Sequence, residues 1–245
     1  RFNLAKTTGN NWSALFNSDT SQVAVGDTIY YRVFARDISS MHNTDSTALY
    51  SFTIINQVTT IVGTGSTSSN FPFTTYWMDG RTDYLVLGSE LNINSSGYIA
   101  AIGFDVISAD PGVMNGFNIK MQNTSATSLS GFTTSGWFVS YNGTYTVPGT
   151  GWQMIQLQNP FPYTGGNLLI EVCFNNSSYT NYSTVNSTAA TGMYWGRYGD
   201  LSAGDGCATT SWSSTTAPPG RANMKFVVNP GTVSGISQQG TVIPE

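Results

Sequence analysis

The chain has 245 residues, of which only 9% are charged, with 9 Lys and Arg against 13 Asp and Glu and a formal net charge of -4. Nine scattered cations leave no footprint for a phosphate backbone, so nucleic acid is excluded as a partner. No run approaches the roughly 18 apolar residues of a membrane-spanning helix, and the first residues carry no basic-then-apolar leader.

Ser and Thr supply about a quarter of the sequence. Such a surface is solvated by hydroxyls and amides instead of charges. Together with the only two cysteines, Cys173 and Cys207, this points to an oxidising compartment and a disulfide between them. Neither cysteine sits in a CxxC pair, and one histidine is too few for a structural zinc site.

In chain order, apolar and polar residues alternate with the period of strands, and no window sustains helical spacing. TIYYRVFAR places Ile29, Tyr31, Val33 and Ala35 on one face of a half-buried strand, and ALYSFTII repeats the pattern with Tyr50, Phe52 and Ile54. Ile102, Phe104 and Val106 alternate next. Phe117, Ile119 and Met121 follow around Asn118 and Lys120, then Leu168, Ile170, Val172 and Phe174, and finally Met224, Phe226 and Val228. NSSG, DPG, PGTG and NPFP supply turns between these runs. The expected class is all-β: a partial immunoglobulin- or fibronectin-like sandwich over 1–57, a linker or edge strand over 58–70, a larger antiparallel jelly-roll-like sandwich over 71–229, and a C-terminal tail over 230–245.

Three or four strands in residues 1–57 fall short of the seven or so of an immunoglobulin-like sandwich. Half a sandwich exposes an apolar face and an unpaired edge, which a neighbouring copy or a processed upstream segment would cover. Within the tail, Val233, Ile236, Val242 and Ile243 could act as the pegs of a donated strand.

The opening FPFTTYW, then RTDYLVLGSEL, GYIAAIGFDV, FNIKMQNTS, GWQMIQLQNPFPYTGGNLLIEVCFNN and the closing RANMKF occur in order. On these segments, residues 63–228 resemble a β-sandwich domain of secreted and cell-surface proteins of the Bacteroidetes and Ignavibacteria, exported by the type IX secretion system. Ala222 stands where that family usually has Pro, a departure expected to touch a turn and to leave the fold class intact. Residues 28–55 resemble the last strands of the immunoglobulin-like modules that precede such domains, and TVIPE is similar to the junction before their cleaved sorting domain. The resemblance implies export, surface attachment or release, and roles in adhesion, gliding or assembly; it implies no defined chemistry.

Nucleophilic catalysis would have to use His42, in the polar turn SSMHNTDS, which reads better as a solvated loop residue. Glu171 and Glu90 are the only acids inside apolar strands. Each reads as an outward-facing residue or the partner of an arginine such as Arg81 or Arg221 in preference to a glycosidase acid. GTGSTSSN lacks the Lys-Ser/Thr ending of a phosphate loop. A structural calcium ion is weighed at RYGDLSAGDG, whose spacing matches no defined calcium loop; no other cofactor is expected.

Trp77, Trp195 and Trp212, with Tyr76, Tyr194 and Tyr198, are candidates to stack on sugar rings, although aromatic residues in β-proteins more often fill the core. Asn-x-Ser/Thr sequons occur at Asn11, Asn94, Asn123, Asn142, Asn175, Asn176, Asn181 and Asn186, with Asn142, Asn181 and Asn186 the leading glycan acceptors. Asp-Thr-Ile at Thr28 and Asp-Ser-Thr at Ser46 resemble the O-glycosylation signal of the Bacteroidetes.

The expected function is an extracellular structural subunit without enzymatic activity. It would assemble into a filament, sheath or surface layer by strand pairing between copies. The alternatives are a carbohydrate-binding or adhesion module, or a non-catalytic appendage of a secreted hydrolase.

Overall fold

In the computed structural model the described residues are 5–6, 12–13, 25–36, 43–54, 57–93, 96–201, 204–212, 214 and 216–230. The proposed pegs Val233, Ile236, Val242 and Ile243 lie outside them, as do His42, Asn11 and Asn94. The chain divides into two compact units that part at Gln57.

The described strands of the first unit form two-stranded antiparallel pairs. They are β1 (Ala5–Lys6) with β2 (Trp12–Ser13), β3 (Thr28–Tyr31) with β6 (Tyr50–Thr53), and β4 (Phe34–Arg36) with β5 (Thr44–Ser46). In the β3–β6 register Ile29 faces Phe52 and Tyr31 faces Tyr50. These four side chains therefore share one face. Tyr31 stacks on Tyr50 at 5.5 Å and meets Phe52 at 6.2 Å. The reading of TIYYRVFAR as one half-buried strand needs correction. Arg32 and Val33 interrupt it, and each half pairs with a different partner. Tyr31 is 42% and Phe52 39% exposed, and Val33, Phe34 and Ala35 are exposed too. A two-stranded pair has too little area to bury such side chains.

The second unit is a sandwich of two antiparallel sheets, as the alternating runs predict. Its elements in chain order are β7 (Val58–Val62), β8 (Thr67–Ser69), β9 (Asp79–Val86), the one-turn α1 (Gly88–Leu91), β10 (Gly97–Ser108), β11 (Met114–Thr124) and β12 (Phe138–Tyr145). There follow β13 (Gly151–Tyr163), β14 (Asn167–Asn175), β15 (Thr184–Thr188), β16 (Tyr194–Gly199), β17 (Arg221–Ala222) and β18 (Met224–Pro230). In the seven-stranded sheet, β10 is flanked by β13 along one side and by β18, then β15, along the other. Strands β7 and β8 pair with β18 and β15, so residues 58–69 contribute strands to this sheet. The five-stranded sheet runs β12-β11-β14-β9-β16.

The core is built from the predicted alternations. Ile102, Phe104 and Val106 meet Phe117, Ile119 and Met121, Ile170, Val172 and Phe174, and Met224, Phe226 and Val228, all buried. Ile99 has the wrong parity to join them. It does so because the register of β10 shifts between Ile99 and Ala101 against both neighbouring strands, a bulge that turns the side chains over. Phe104 packs edge-on to Phe73 at 5.4 Å. Truncation of a buried aromatic costs about 3–5 kcal/mol. Phe104→Ala should lower the unfolding free energy by that amount in a denaturant titration, without changing the secondary structure seen by circular dichroism under native conditions.

Candidate functional site

Because side chains alternate along a strand, the residues of β9 and β14 that do not face the core face the other side of the five-stranded sheet. On β9 these are Asp79, Arg81, Asp83 and Leu85; on β14 they are Leu169, Glu171 and Cys173. All are buried. A second covering layer must therefore lie over this face. It is formed by the segments that follow β11 and β16.

Arg81 is the hub. Its Nε donates to Glu171 Oε2 at 2.8 Å, one terminal nitrogen to the Thr209 carbonyl at 2.9 Å and the other to the Thr133 carbonyl at 2.7 Å. The Phe132 ring lies 4.6 Å from the guanidinium carbon, and Trp212 packs against Phe132. Lys120 from β11 donates to the other oxygen of Glu171 at 2.7 Å and to the Cys207 carbonyl at 3.3 Å. The expected disulfide is present: Cys173 on the sheet is bonded to Cys207 in the covering segment, 34 positions on, with a Cα separation of 5.2 Å. One cluster of charges and one covalent bond thus bind two otherwise irregular segments to a sheet face.

Glu171 takes the arginine partner that its apolar strand implies, Arg81, and Glu90 takes Arg221. Arg221 donates to both Glu90 oxygens and to the Leu85 carbonyl, so it joins β17 to α1 and the end of β9. Those Arg221 hydrogen bonds hold the Glu90 carboxyl below its ordinary range.

Asp83 accepts the Thr133 N–H at 2.8 Å through one oxygen, while its other oxygen has no hydrogen-bond donor. Burial first, and the Glu171 charge second, push its pKa up to about 8, against the opposing pull of Thr133 and Arg81. Two carboxyls side by side could in principle divide acid and base roles. Glu171 and Asp83 are fully enclosed, however, and Arg81, Lys120 and the covering backbone fill the space around them. The arrangement suits a structural clamp.

The carboxylates in and beside the acidic loop weighed for calcium are taken up by backbone N–H groups. Asp79 accepts the N–H groups of Leu201 and Gly206, Asp200 that of Met78, and Asp205 that of Cys207. Burial raises the Asp79 carboxyl above its ordinary range, with the Asp205 and Asp200 charges adding to that. Among the described residues no group of three or more His, Cys, Asp or Glu is placed to hold a metal ion.

The three candidate tryptophans are each engaged by protein. Trp77 stacks on Tyr198 at 5.0 Å, Trp195 lies under the Arg197 guanidinium at 4.8 Å, and Trp212 packs on Phe132. Among the described residues no ring contact joins any two of the three. An exposed aromatic group of the second unit is instead Tyr76 with Tyr179 and Tyr182, of which only Tyr76 was legible as a candidate. A signal for the other two existed in NNSSYTNYS, where tyrosines recur in a polar stretch that has no strand alternation to bury them.

Of the candidate glycan acceptors, Asn142 and Asn181 are exposed. Asn186 is half-buried and commits its amide nitrogen, the atom that a glycan would take, to Asp105 at 2.8 Å. Asn123 and Asn176 likewise donate to the Pro162 and Val113 carbonyls. Ser46 is exposed at the end of β5, and the exposed Thr28 hydroxyl pairs with that of Thr53 across β3–β6 at 3.2 Å.

In comparisons with known proteins, neither a family model nor a curated sequence matches the chain.

Removing one partner of a buried ion pair leaves the other charge uncompensated, which costs about 3–5 kcal/mol. Arg81→Ala should destabilise by that amount and should expose the Cys173–Cys207 bond to reductant, as followed by thiol alkylation and mass spectrometry. Asp83 gives a pH signature. A carboxyl that titrates higher in the folded state stabilises the fold fully below its unfolded value near 4, and that contribution is lost as pH rises through about 8. Asp83→Asn should therefore gain stability relative to wild type progressively between about pH 4 and pH 8 and level off above it, measured as unfolding free energy at each pH.

Proposed function

We propose that the chain is an extracellular, non-catalytic structural protein in which the first unit is completed by a strand from another copy. The observation that carries this reading is the Ile29, Tyr31, Tyr50 and Phe52 ladder. It is an aromatic face across β3 and β6, which pair only with each other among the described residues, and Tyr31 and Phe52 on it are 42% and 39% exposed. Water contact with such a face is unfavourable by about 25 cal/mol for each Å² that another segment could cover. An added strand supplies backbone hydrogen bonds at the edge and side chains over the face together.

A further feature agrees with work outside the cell: the disulfide needs an oxidising setting to persist. The small share of charged residues suits close lateral packing of copies, because few ions need desolvation when surfaces meet. The enclosed Asp83–Glu171 pair offers no opening for a substrate, which supports a role without chemistry.

Native mass spectrometry and negative-stain imaging of the full chain should reveal multimers or filaments. Tyr31→Lys combined with Phe52→Lys should return monomers whose second unit keeps its thermal transition. A wild-type chain that remains monomeric at tens of micromolar, with the ladder protected from hydrogen exchange, would refute assembly through this face.

A further inference from the structure

Tyr76, Tyr179 and Tyr182 are 52%, 61% and 45% exposed, an unusual concentration of ring surface on a folded sandwich. The Tyr179 and Tyr182 centroids lie 6.0 and 6.3 Å from that of Tyr76. On its inner side Tyr76 meets Trp77 edge-on at 6.0 Å, and Trp77 is itself stacked on Tyr198. The rings therefore stand on a buttressed base.

The backbone that carries them is pinned. The Thr180 N–H donates to the Thr75 carbonyl at 2.7 Å, and the Thr75 hydroxyl donates to the Asn181 carbonyl. The Ser183 hydroxyl accepts the Asp110 N–H at 2.9 Å, which ties the same segment to the turn after β10. Between that turn and the tyrosine-bearing segment runs an open groove of ≈ 560 Å³, whose walls include Asp110, Val113, Asn115, Ser178, Thr180 and Asn181.

The lining selects the occupant. It contains no Lys, Arg or His, so an anionic ligand finds no counter-charge there. Its single carboxylate, Asp110, already accepts the Gly112 N–H at 2.9 Å. A wholly apolar ligand would strand the polar wall, since the Ser178 hydroxyl and the Asn181 carboxamide have no protein partner among the described residues; Tyr179 and Tyr182 flank this groove through the same segment, and none of the three tyrosines lines it. A sugar ring answers both demands. Its C–H face packs on an aromatic plane and its rim of hydroxyls pairs with amides and hydroxyls.

We propose that the Tyr76–Tyr179–Tyr182 face and the adjoining Asp110–Asn181 groove form a binding site for a neutral oligosaccharide. The site belongs to the second unit and does not depend on assembly through the first. Its function would be to hold the protein to a neutral polysaccharide surface.

Isothermal titration calorimetry of the full chain with cellohexaose, xylohexaose and mannohexaose, and with oligogalacturonate as the anionic control, tests this. At least one neutral sugar should bind and oligogalacturonate should not. Tyr179→Ala should weaken that binding at least tenfold, and Tyr76→Ala with Tyr179→Ala should abolish it, with the thermal midpoint of each variant unchanged. Trp195→Ala, in β16 opposite Asp83, should bind as wild type. No binding of any neutral sugar at millimolar concentration, equal binding by the Tyr179→Ala variant, or tighter binding of oligogalacturonate would each overturn the assignment. A double variant that loses its thermal transition is replaced by Tyr179→Ser alone, for which the same tenfold loss is required.

Discussion

The Arg81 guanidinium sits on the side of its sheet turned away from the hydrophobic core, yet water does not reach it. Glu171 neutralises it, two carbonyls from separate segments take its remaining donors, and an aromatic ring closes its flat side. A buried pair of this kind adds little net stability compared with apolar packing, because the desolvation cost offsets most of the attraction. What it provides is geometry. Thr133 and Thr209 belong to stretches without regular structure, and a planar donor fork fixes where both carbonyls must lie. Lys120 and the Cys173–Cys207 bond fix the same cover from two further directions. The central strands of this sheet can therefore be enclosed on both sides without a second hydrophobic layer of full size.

Much of this was legible from residue order alone. Alternation in β10, β11, β14 and β18 named the core side chains, because a strand offers only two faces and apolar residues of one parity have a single place to go. An arginine partner was one of two readings open for Glu171 and Glu90, on the cost of an unpaired carboxylate among apolar residues, and Glu90 proves to sit in α1 instead of a strand. What stayed hidden had non-local causes. The Ile99/Ala101 bulge reverses parity at one point and leaves no composition signal. In RTDYLVL the charges Arg81 and Asp83 look like a solvent face, and only the distant, hydroxyl-rich segments around Thr133 and Thr209 make that face an interior. The sugar-stacking candidates illustrate the same limit. Tryptophan is the conspicuous residue in a sequence, but its large ring is the one that a fold most readily covers. Two unremarked tyrosines, set in a polar stretch without period, remained outside.

The two units differ in how they cover the faces of their strands. In the larger one even the outward side of β9 and β14 is enclosed. In the smaller one, aromatic side chains that face each other across β3 and β6 remain in contact with solvent. A single chain seldom carries both conditions without use for the second, since exposed aromatic ladders risk uncontrolled association. In the proposed assembly the larger unit would keep its shape while the smaller one makes the joints.

Arg81, Asp83, Glu171 and Arg221 are all interior, in a protein with only 22 acidic and basic side chains. The charge facing the medium is sparser still. Mobile ions have little to screen on such an exterior, so contacts made through its hydroxyls, amides and rings should hold alike in fresh water and in brine.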